Sequence, residues 1–409
     1  MTLNGIQNYQ HLSKKFYSNE IIYKIIEKKG IDSHELKVFL INTGINDLNL
    51  LATFIRSREN NKFVTYSRKV FINLINLCKD SCSYCTYKKE PTNAEVIMLN
   101  PSQAIAIAKL GRKAKCTEAL IVTGERPEVK YKEAKRWLTS LGHTNLTELL
   151  ADLSEKIISQ TGMLPHTNAG SLTKKEMSML RSTNASLGMM LESSSERLTN
   201  QGKVHENAPS KNPKVRLKSL ISAGELSFPI TTGLLIGIGE NFSEIIDSLL
   251  LINNINKKYG HIQEVIMQNF VPKKGTAMEY ANSPSFPYFL RCIAAARIIL
   301  EGISLQVPPN LSPNVYSNYL DAGINDWGGI SPITADYVNP ESPWPTIEDV
   351  SALTREKGFR LRARLPVYPK YIINPQLSWK FVHKDLKDYI EPLIDKYGLV
   401  REGFINNEY

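Results

Sequence analysis

Three of the five cysteines in this 409-residue chain, Cys78, Cys82 and Cys85, stand within eight residues of one another in NLCKDSCSYCTYKKEP. Crowded thiolates make a poor disulfide framework and point instead to a metal centre. A structural zinc site wants four ligands in a tetrahedron, usually from two separated pairs. Here one Cys-x-x-Cys pair is joined by a single extra cysteine, so zinc would need a distant fourth ligand such as His143 or His166. A 4Fe-4S cube normally takes four cysteines, but three on a tight loop can hold it with one iron left open, and that iron is then the reactive position. Cys116 and Cys292 lie in helix-like stretches far along the chain, where a buried apolar thiol is the expected role.

The loop follows a short apolar run, KVFINLIN, and that run is the first of a series: EALIVTG, MLPHTNAG, ASLGMMLES, FPITTGLLIGIGE, EVIMQNFVP, ISLQVPP and a weaker DWGGISPIT. Between them lie stretches with helical periodicity, among them SQAIAIAKLGRKA, NLTELLADLSEKIISQ, TKKEMSMLRS, NPKVRLKSLISAG, FSEIIDSLLLINNINKKYG and FLRCIAAARIILEG. Eight alternations predict an α/β fold of parallel strands with right-handed helical crossovers, a closed (β/α) barrel fitting the number better than an open doubly wound sheet. Polar and glycine residues gather at the C-terminal ends of the runs, where such folds build their sites. The expected division is an N-terminal helical extension over 1–66, the barrel over 67–340 and a C-terminal extension packed on it over 341–409. In the first part Ile21, Ile22, Ile25 and Ile26 recur at helical spacing, with Gly30 as the stop. In the last, Arg360, Arg362 and Arg364 alternate with apolar residues, so that an extended segment would put all three on one face for ion pairing.

Composition narrows the function classes. With 42% hydrophobic and 22% charged residues the chain can bury a large core. No apolar run approaches the roughly 20 residues of a membrane span, and the first residues lack the apolar core of a secretory signal. With clustered cysteines, this implies a reducing cytoplasm. The formal charge of +10 comes from Lys and Arg scattered along the chain, not from a basic stripe interleaved with aromatics, so nucleic acid is not an expected partner. A zinc-stabilised nucleic-acid-binding protein and a catalytically silent binding barrel remain the readings of another class.

The Cys-x-x-x-Cys-x-x-Cys loop directly after the first strand of an alternating barrel resembles the signature of radical S-adenosylmethionine enzymes. The resemblance implies one 4Fe-4S cluster on Cys78, Cys82 and Cys85, with S-adenosylmethionine chelated on the open iron and cleaved by one electron to methionine and a 5'-deoxyadenosyl radical. Other segments are similar in order and place. Tyr84 matches the aromatic whose backbone meets the adenine. Thr123, Gly124 and Glu125 in VTGERP match the element that holds the methionine amino group, where a carboxylate gives charge-assisted hydrogen bonds to an ammonium. Glu192 and Ser193 in MMLESS fall where related enzymes bind the ribose or the methionine carboxylate. Gly233, Gly237 and Glu240 in GLLIGIGE fit the pattern after the fifth strand.

The longer phrases ALIVTGERPE, QNFVPKKGTAM and DAGINDWGGISPITADYVNPESPWP resemble the first subunit (CofG type) of the 7,8-didemethyl-8-hydroxy-5-deazariboflavin synthase family, from about Val70 to Tyr371. The resemblance implies closure of the deazaflavin ring on 5-amino-5-(4-hydroxybenzyl)-6-(D-ribitylimino)-5,6-dihydrouracil, with loss of ammonia. The substrate would come from the sister synthase subunit (CofH type), which joins tyrosine to ribitylaminouracil, and a reductant is needed. That subunit and the menaquinone-pathway radical enzymes share the cysteine loop and are the nearest alternatives. His166, Asn168, Asn269, Asn310, Asp326 and Ser331 are the polar residues expected at strand ends to meet substrate. His166 and Asp326 are the candidates for catalysis, with Trp327 beside Asp326 in the family-typical phrase.

Overall fold

In the computed structural model, which describes residues 19–58, 62–377 and 379–406, eight parallel strands close into a barrel. They are β1 (Phe63–Ile75), β2 (Glu118–Thr123), β3 (Leu164–Asn168), β4 (Ser186–Gly188), β5 (Ile230–Ile236), β6 (Ile262–Asn269), β7 (Ser304–Gln306) and β8 (Asp326–Ile330). Each pairs with the next, and β1 closes the ring by pairing with both β8 and β2. The crossovers carry α4 (Pro101–Lys113), α5 (Pro127–Lys130), α6 (Lys132–Ser140), α7 (Leu146–Thr161), α8 (Lys174–Leu180), α9 (Pro213–Glu225), α10 (Phe242–Tyr259) and α11 (Phe286–Ile299). They follow α1 (Glu20–Glu27), α2 (Ser33–Asn42) and α3 (Ile45–Arg58).

The helix ends are written in the sequence. Asn100 and Gln103 close a capping box ahead of α4, and Asn241 and Glu244 do so ahead of α10. Gly162 and Gly260 end α7 and α10 in the left-handed conformation. At the end of α1 it is Lys28 that caps in that conformation, its backbone N–H reaching back to the carbonyls of Lys24 and Ile25, and Gly30, at φ +70, follows two residues later. The three leading helices dock on the outer surface of the barrel through Ile25 and Ile26 of α1, Leu40 of α2, and Leu48, Leu51 and Ala52 of α3, all buried. Arg56 donates to the carbonyl of Ile324, and Arg291 of α11 donates to those of Leu40 and Ile41. Residues 1–18 and 59–61 of the expected N-terminal extension lie outside the described residues.

A ninth strand was not expected. After α12 (Ile347–Glu356), β9 (Arg360–Arg364) pairs in parallel with the first half of β1, Phe63 to Ser67, while β2 pairs with the second half from Lys69 onward. β9 therefore enters beneath β2. The chain continues across the strand-start end of the barrel, where the carbonyl of Pro366 accepts from Ser186 Oγ at 2.6 Å and Gln263 Nε2 at 2.9 Å. This floor fixes Arg364 inside the barrel. Of the three alternating arginines Arg360 is exposed and pairs with Glu402, Arg362 is buried against Asp395, and Arg364 is buried against Asp326 and Glu264. Among the described residues no helix is long and apolar enough to cross a membrane.

Candidate active site

One cavity of about 340 Å³ runs from the cysteine loop down the barrel axis to the floor. Period two along the strands selects its lining: Ser67, Lys69 and Phe71 from β1; Glu118, Leu120 and Val122 from β2; Glu264, Ile266 and Gln268 from β6. The upper part carries the cysteines, and the middle is apolar, with Phe71, Leu120 and Val122 clustered around Tyr87. The floor is polar, with Glu118, His166, Thr231, Glu264 and Arg364.

The cysteine loop is held from two sides. Towards β2, the Lys79 N–H donates to the carbonyl of Glu125 at 2.8 Å and the Glu125 N–H donates to Cys78 Sγ at 3.2 Å. Gly124 makes that approach possible, since a Cβ there would lie 1.9 Å from the carbonyl oxygen of Leu77. Towards the segment before α9, the Ser81 and Ser83 N–H groups donate to the carbonyls of Asn207 and Val204, and Asp80 accepts from the N–H and hydroxyl of Ser210. All three thiols line the cavity. Burial is the main cause that pushes Cys78 up to about 11 and Cys82 up to about 12, with the nearby Cys85 and Asp80 acting in the same direction on both. Among the described residues no group of three or more His, Cys, Asp or Glu side chains is drawn onto one point that could hold a single ion. Three thiols around one cavity suit a cube, in which each iron takes its own sulfur.

Glu125 is buried, its Oε2 accepting from the Ser171 N–H at 2.9 Å, with Arg216 at 3.7 Å and Arg126 at 3.6 Å from its two oxygens. Glu192, at φ +64, is buried across the cavity and accepts from Lys211 Nζ at 2.5 Å. Burial works against the charge of both, yet the pairing prevails: Glu192 is held below the usual carboxylate range and Lys211 above the usual lysine value. Tyr84 donates or accepts at His205 Nε2 across 2.9 Å and packs on Leu198, Leu235, Ile238 and Phe270. Burial, with Lys211 nearby, holds His205 down to about 4.

Thr123, Gly124, Glu125, Glu192 and Tyr84 are thus brought around one space with the cysteines, whereas Ser193, Gly237 and Glu240 are not among its lining. Both Glu240 oxygens are taken by its own turn, accepting from the Gly237 and Ile238 N–H groups at 2.7 and 2.9 Å. Ser193 Oγ accepts from the Ser195 N–H. Gly233 lies in β5, where a Cβ would meet the Ile266 carbonyl at 2.3 Å. Two further cations line the cavity, Lys211 close to Cys82 and Arg216 close to Glu125, and no motif marks them in the stretch PSKNPKVR.

Among the substrate candidates, His166 and Asn168 line the cavity. Ser186 donates its hydroxyl proton to the Pro366 carbonyl, so it must accept from His166 Nδ1 at 2.7 Å. That fixes the Nδ1–H tautomer and leaves Nε2 an acceptor, while burial holds His166 down to about 4. Asp326 is placed elsewhere: it is fully buried outside the lining, with Arg364 Nε at 2.6 Å from Oδ2 and Nη2 at 3.0 Å from Oδ1, and it accepts from the Gly328 N–H and the Thr65 hydroxyl. The side chain that reaches the cavity is Arg364. Trp327 faces the core, donating to Thr354 Oγ1. Asn269 donates to the Leu311 carbonyl, Asn310 to Asp336 and Ser331 is bonded to Thr334, and none of the three lines the cavity.

The barrel and the cysteine loop define a class, and comparison with known proteins agrees: residues 72–252 match the Radical SAM superfamily. The barrel is similar to those of the FeFe-hydrogenase maturase HydG from Carboxydothermus hydrogenoformans (19% identity, 99% of this chain and 94% of that one, TM-score 0.69) and methylornithine synthase PylB (18%, 83% and 96%, TM-score 0.65). The 7,8-didemethyl-8-hydroxy-5-deazariboflavin synthase of Methanopyrus kandleri is 46% identical over 83% of this chain and 100% of its own length. That of Methanocaldococcus jannaschii is 44% identical over 87% and 97%. The chain belongs to the 7,8-didemethyl-8-hydroxy-5-deazariboflavin synthase family.

Proposed function

We propose that the chain closes the deazaflavin ring, converting 5-amino-5-(4-hydroxybenzyl)-6-(D-ribitylimino)-5,6-dihydrouracil to 7,8-didemethyl-8-hydroxy-5-deazariboflavin. Ammonia is released, and S-adenosylmethionine is consumed to methionine and 5'-deoxyadenosine, making the enzyme a carbon-nitrogen lyase. The observation that carries this reading is that three cysteines and two buried, charge-paired carboxylates meet at the upper end of a cavity whose middle is apolar and whose floor is polar. A substrate with two rings and a polyol chain needs such a graded space.

The residues fit the cofactors of the superfamily. Cys78, Cys82 and Cys85 would hold a 4Fe-4S cluster, Glu125 the methionine ammonium, and Lys211 offers positive charge beside Cys82. When bound, cluster and S-adenosylmethionine supply an electron and a primary carbon radical able to take a hydrogen atom. What the chain adds is placement. Phe71, Leu120 and Val122 exclude water around the middle of the cavity, so that one substrate hydrogen is presented and competing ones are kept away. His166 Nε2 stands as an acceptor for a substrate N–H or O–H. Lys273 donates to the Val338 carbonyl and to Asn339, and Asp336 accepts from the Val338 and Asn339 N–H groups, which holds residues 336–339 against the cavity.

The substrate would come from the sister synthase subunit, directly or through solution, and a one-electron reductant would serve the cluster; the site of action would be the cytoplasm. Anaerobic protein reconstituted with iron and sulfide, given S-adenosylmethionine, dithionite and the sister enzyme's product, should form a fluorescent deazaflavin. Formation of the adduct from tyrosine and ribitylaminouracil by this chain alone would assign it the sister reaction instead.

A further inference from the structure

Lys69 of β1 carries a buried charge inside the cavity that the proposed reaction leaves without a role. It is only 9% exposed and lines the cavity wall above the floor. Among the described residues its ammonium has no hydrogen-bond or ion-pair partner. Its neighbours are ring faces, Phe71 at 5.6 Å and Trp344 at 5.2 Å from the ring centroids. The fold makes room for it: a Cβ on Gly329 of β8 would lie 2.3 Å from its Cδ and Cε and 2.4 Å from its Nζ. The charged groups that face it across the cavity are Glu118 of β2, Glu264 of β6, Asp336 of the overlying segment and, repelling it, Arg364 of β9. Glu118 is engaged by the Ser67 hydroxyl, Glu264 by Arg364 and Thr231, and Asp336 by Asn310, Asn339 and the Val338 N–H.

A buried ammonium without a partner costs stability unless something that enters the cavity completes it. Burial already holds Lys69 below the ordinary lysine value, so an oxygen carrying negative charge is the ligand that restores its charged form. Phe71 and Trp344 beside the ammonium offer faces on which a flat ring carrying that oxygen can pack.

We propose that Lys69 binds an acidic, ring-conjugated oxygen of the substrate and stabilises it as the anion. The proposal rests on the functional reading above, whose substrate offers two acidic groups that put negative charge on a ring-conjugated oxygen, the phenol and the pyrimidine imide. Lys69 then fixes which ring lies deep in the barrel and thereby which hydrogen is presented above.

The test uses the reconstituted holoprotein without S-adenosylmethionine and the product deazaflavin, whose own fluorescence and absorption report its binding and ionisation. Lys69→Met, close in length, should weaken product binding about tenfold or more, as expected for loss of a charge-assisted hydrogen bond. Product bound to the unaltered protein should show more of the red-shifted anion band than product bound to Lys69→Met at the same pH. Iron content and S-adenosylmethionine binding should be unchanged in the variant, which separates a lost contact from a lost fold. Competition against the product by a 4-alkylphenol and by ribitylaminouracil distinguishes the sources, because only the fragment whose oxygen meets Lys69 should lose potency in the variant. Equal product affinity and equal anion band in both proteins would overturn the proposal while leaving the functional reading intact. Failure of the unaltered protein to bind the product at all would count against that reading, and the assignment of Lys69 would fall with it.

Discussion

Oε2 of Glu125 lies where a side chain on residue 170 would begin: a Cβ on Gly170 would be 1.9 Å from it. Gly170 is also held at φ +74, a conformation that glycine adopts at little cost. Gly170→Ala should therefore push the carboxylate out of place. We expect S-adenosylmethionine affinity to fall in this variant and likewise in Glu125→Gln, where a charge-assisted hydrogen bond weakened by about 1 to 2 kcal/mol means roughly five- to thirtyfold. Both variants should keep their iron. Unchanged affinity by titration in both would give Glu125 a purely structural role.

Replacing Cys78, Cys82 or Cys85 by Ala should abolish the iron-sulfur absorption and the cleavage of S-adenosylmethionine. Cys116→Ala and Cys292→Ala, at fully buried positions away from the cavity, should retain both and lose only some stability. Iron and sulfide analysis of the five variants decides it. Loss of the cluster in Cys116→Ala or Cys292→Ala, as complete as in Cys82→Ala, would rule out a three-cysteine site.

Asp326→Asn should act on the fold and on Arg364, since the carboxylate serves that arginine and not the cavity. Breaking a buried pair from one side costs about 3 to 5 kcal/mol. We expect a lowered melting temperature, with 5'-deoxyadenosine and deazaflavin reduced in parallel per milligram of protein. A variant of normal stability that still made 5'-deoxyadenosine but no deazaflavin would return Asp326 to the substrate.

His166, His205 and His261 are buried and each held down to about 4 by burial from an ordinary 6.5. Between these values the unfolded chain binds protons that the folded chain refuses, so stability is full above about 6.5 and is lost as pH falls towards 4. His261 lies away from the cavity, with Nε2 on the Leu220 carbonyl. Its replacement by Gln should flatten the decline of melting temperature between pH 6.5 and 4.5, removing roughly 1 to 3 kcal/mol of the pH-dependent loss. An unchanged slope would mean that His261 is protonated in the folded state.

Much of this architecture is legible in the sequence because the signals are local. NFSEIIDSLLLINNINKKYG carries its own cap, period and glycine stop, and the structure places α10 over Phe242–Tyr259. The cysteine loop, VTGERP and MMLESS are local signals too, and the structure brings Cys78, Cys82, Cys85, Glu125 and Glu192 from them to one cavity. What was not legible depends on distant pairing. RLRAR gives no sign that it slips under β2 against β1, and without that placement neither Arg364 as floor nor Asp326 as its counter-ion can be read. Glu240 was chosen from a pattern, but whether its carboxylate faces a ligand or its own turn depends on the turn's geometry. Lys69 was within reach, since it opens the first strand run in phase with Phe71, and a lysine in phase with a strand's inward apolar residues is worth noticing.

The most direct measurement is the simultaneous assay of 5'-deoxyadenosine and deazaflavin in one anaerobic reaction of the reconstituted protein with S-adenosylmethionine, dithionite and the tyrosine-uracil adduct. Ring closure on this chain requires deazaflavin to appear without the sister subunit, in step with 5'-deoxyadenosine, and to disappear in Cys82→Ala. Cleavage of S-adenosylmethionine with the adduct recovered unchanged, in protein of full iron content, would contradict it.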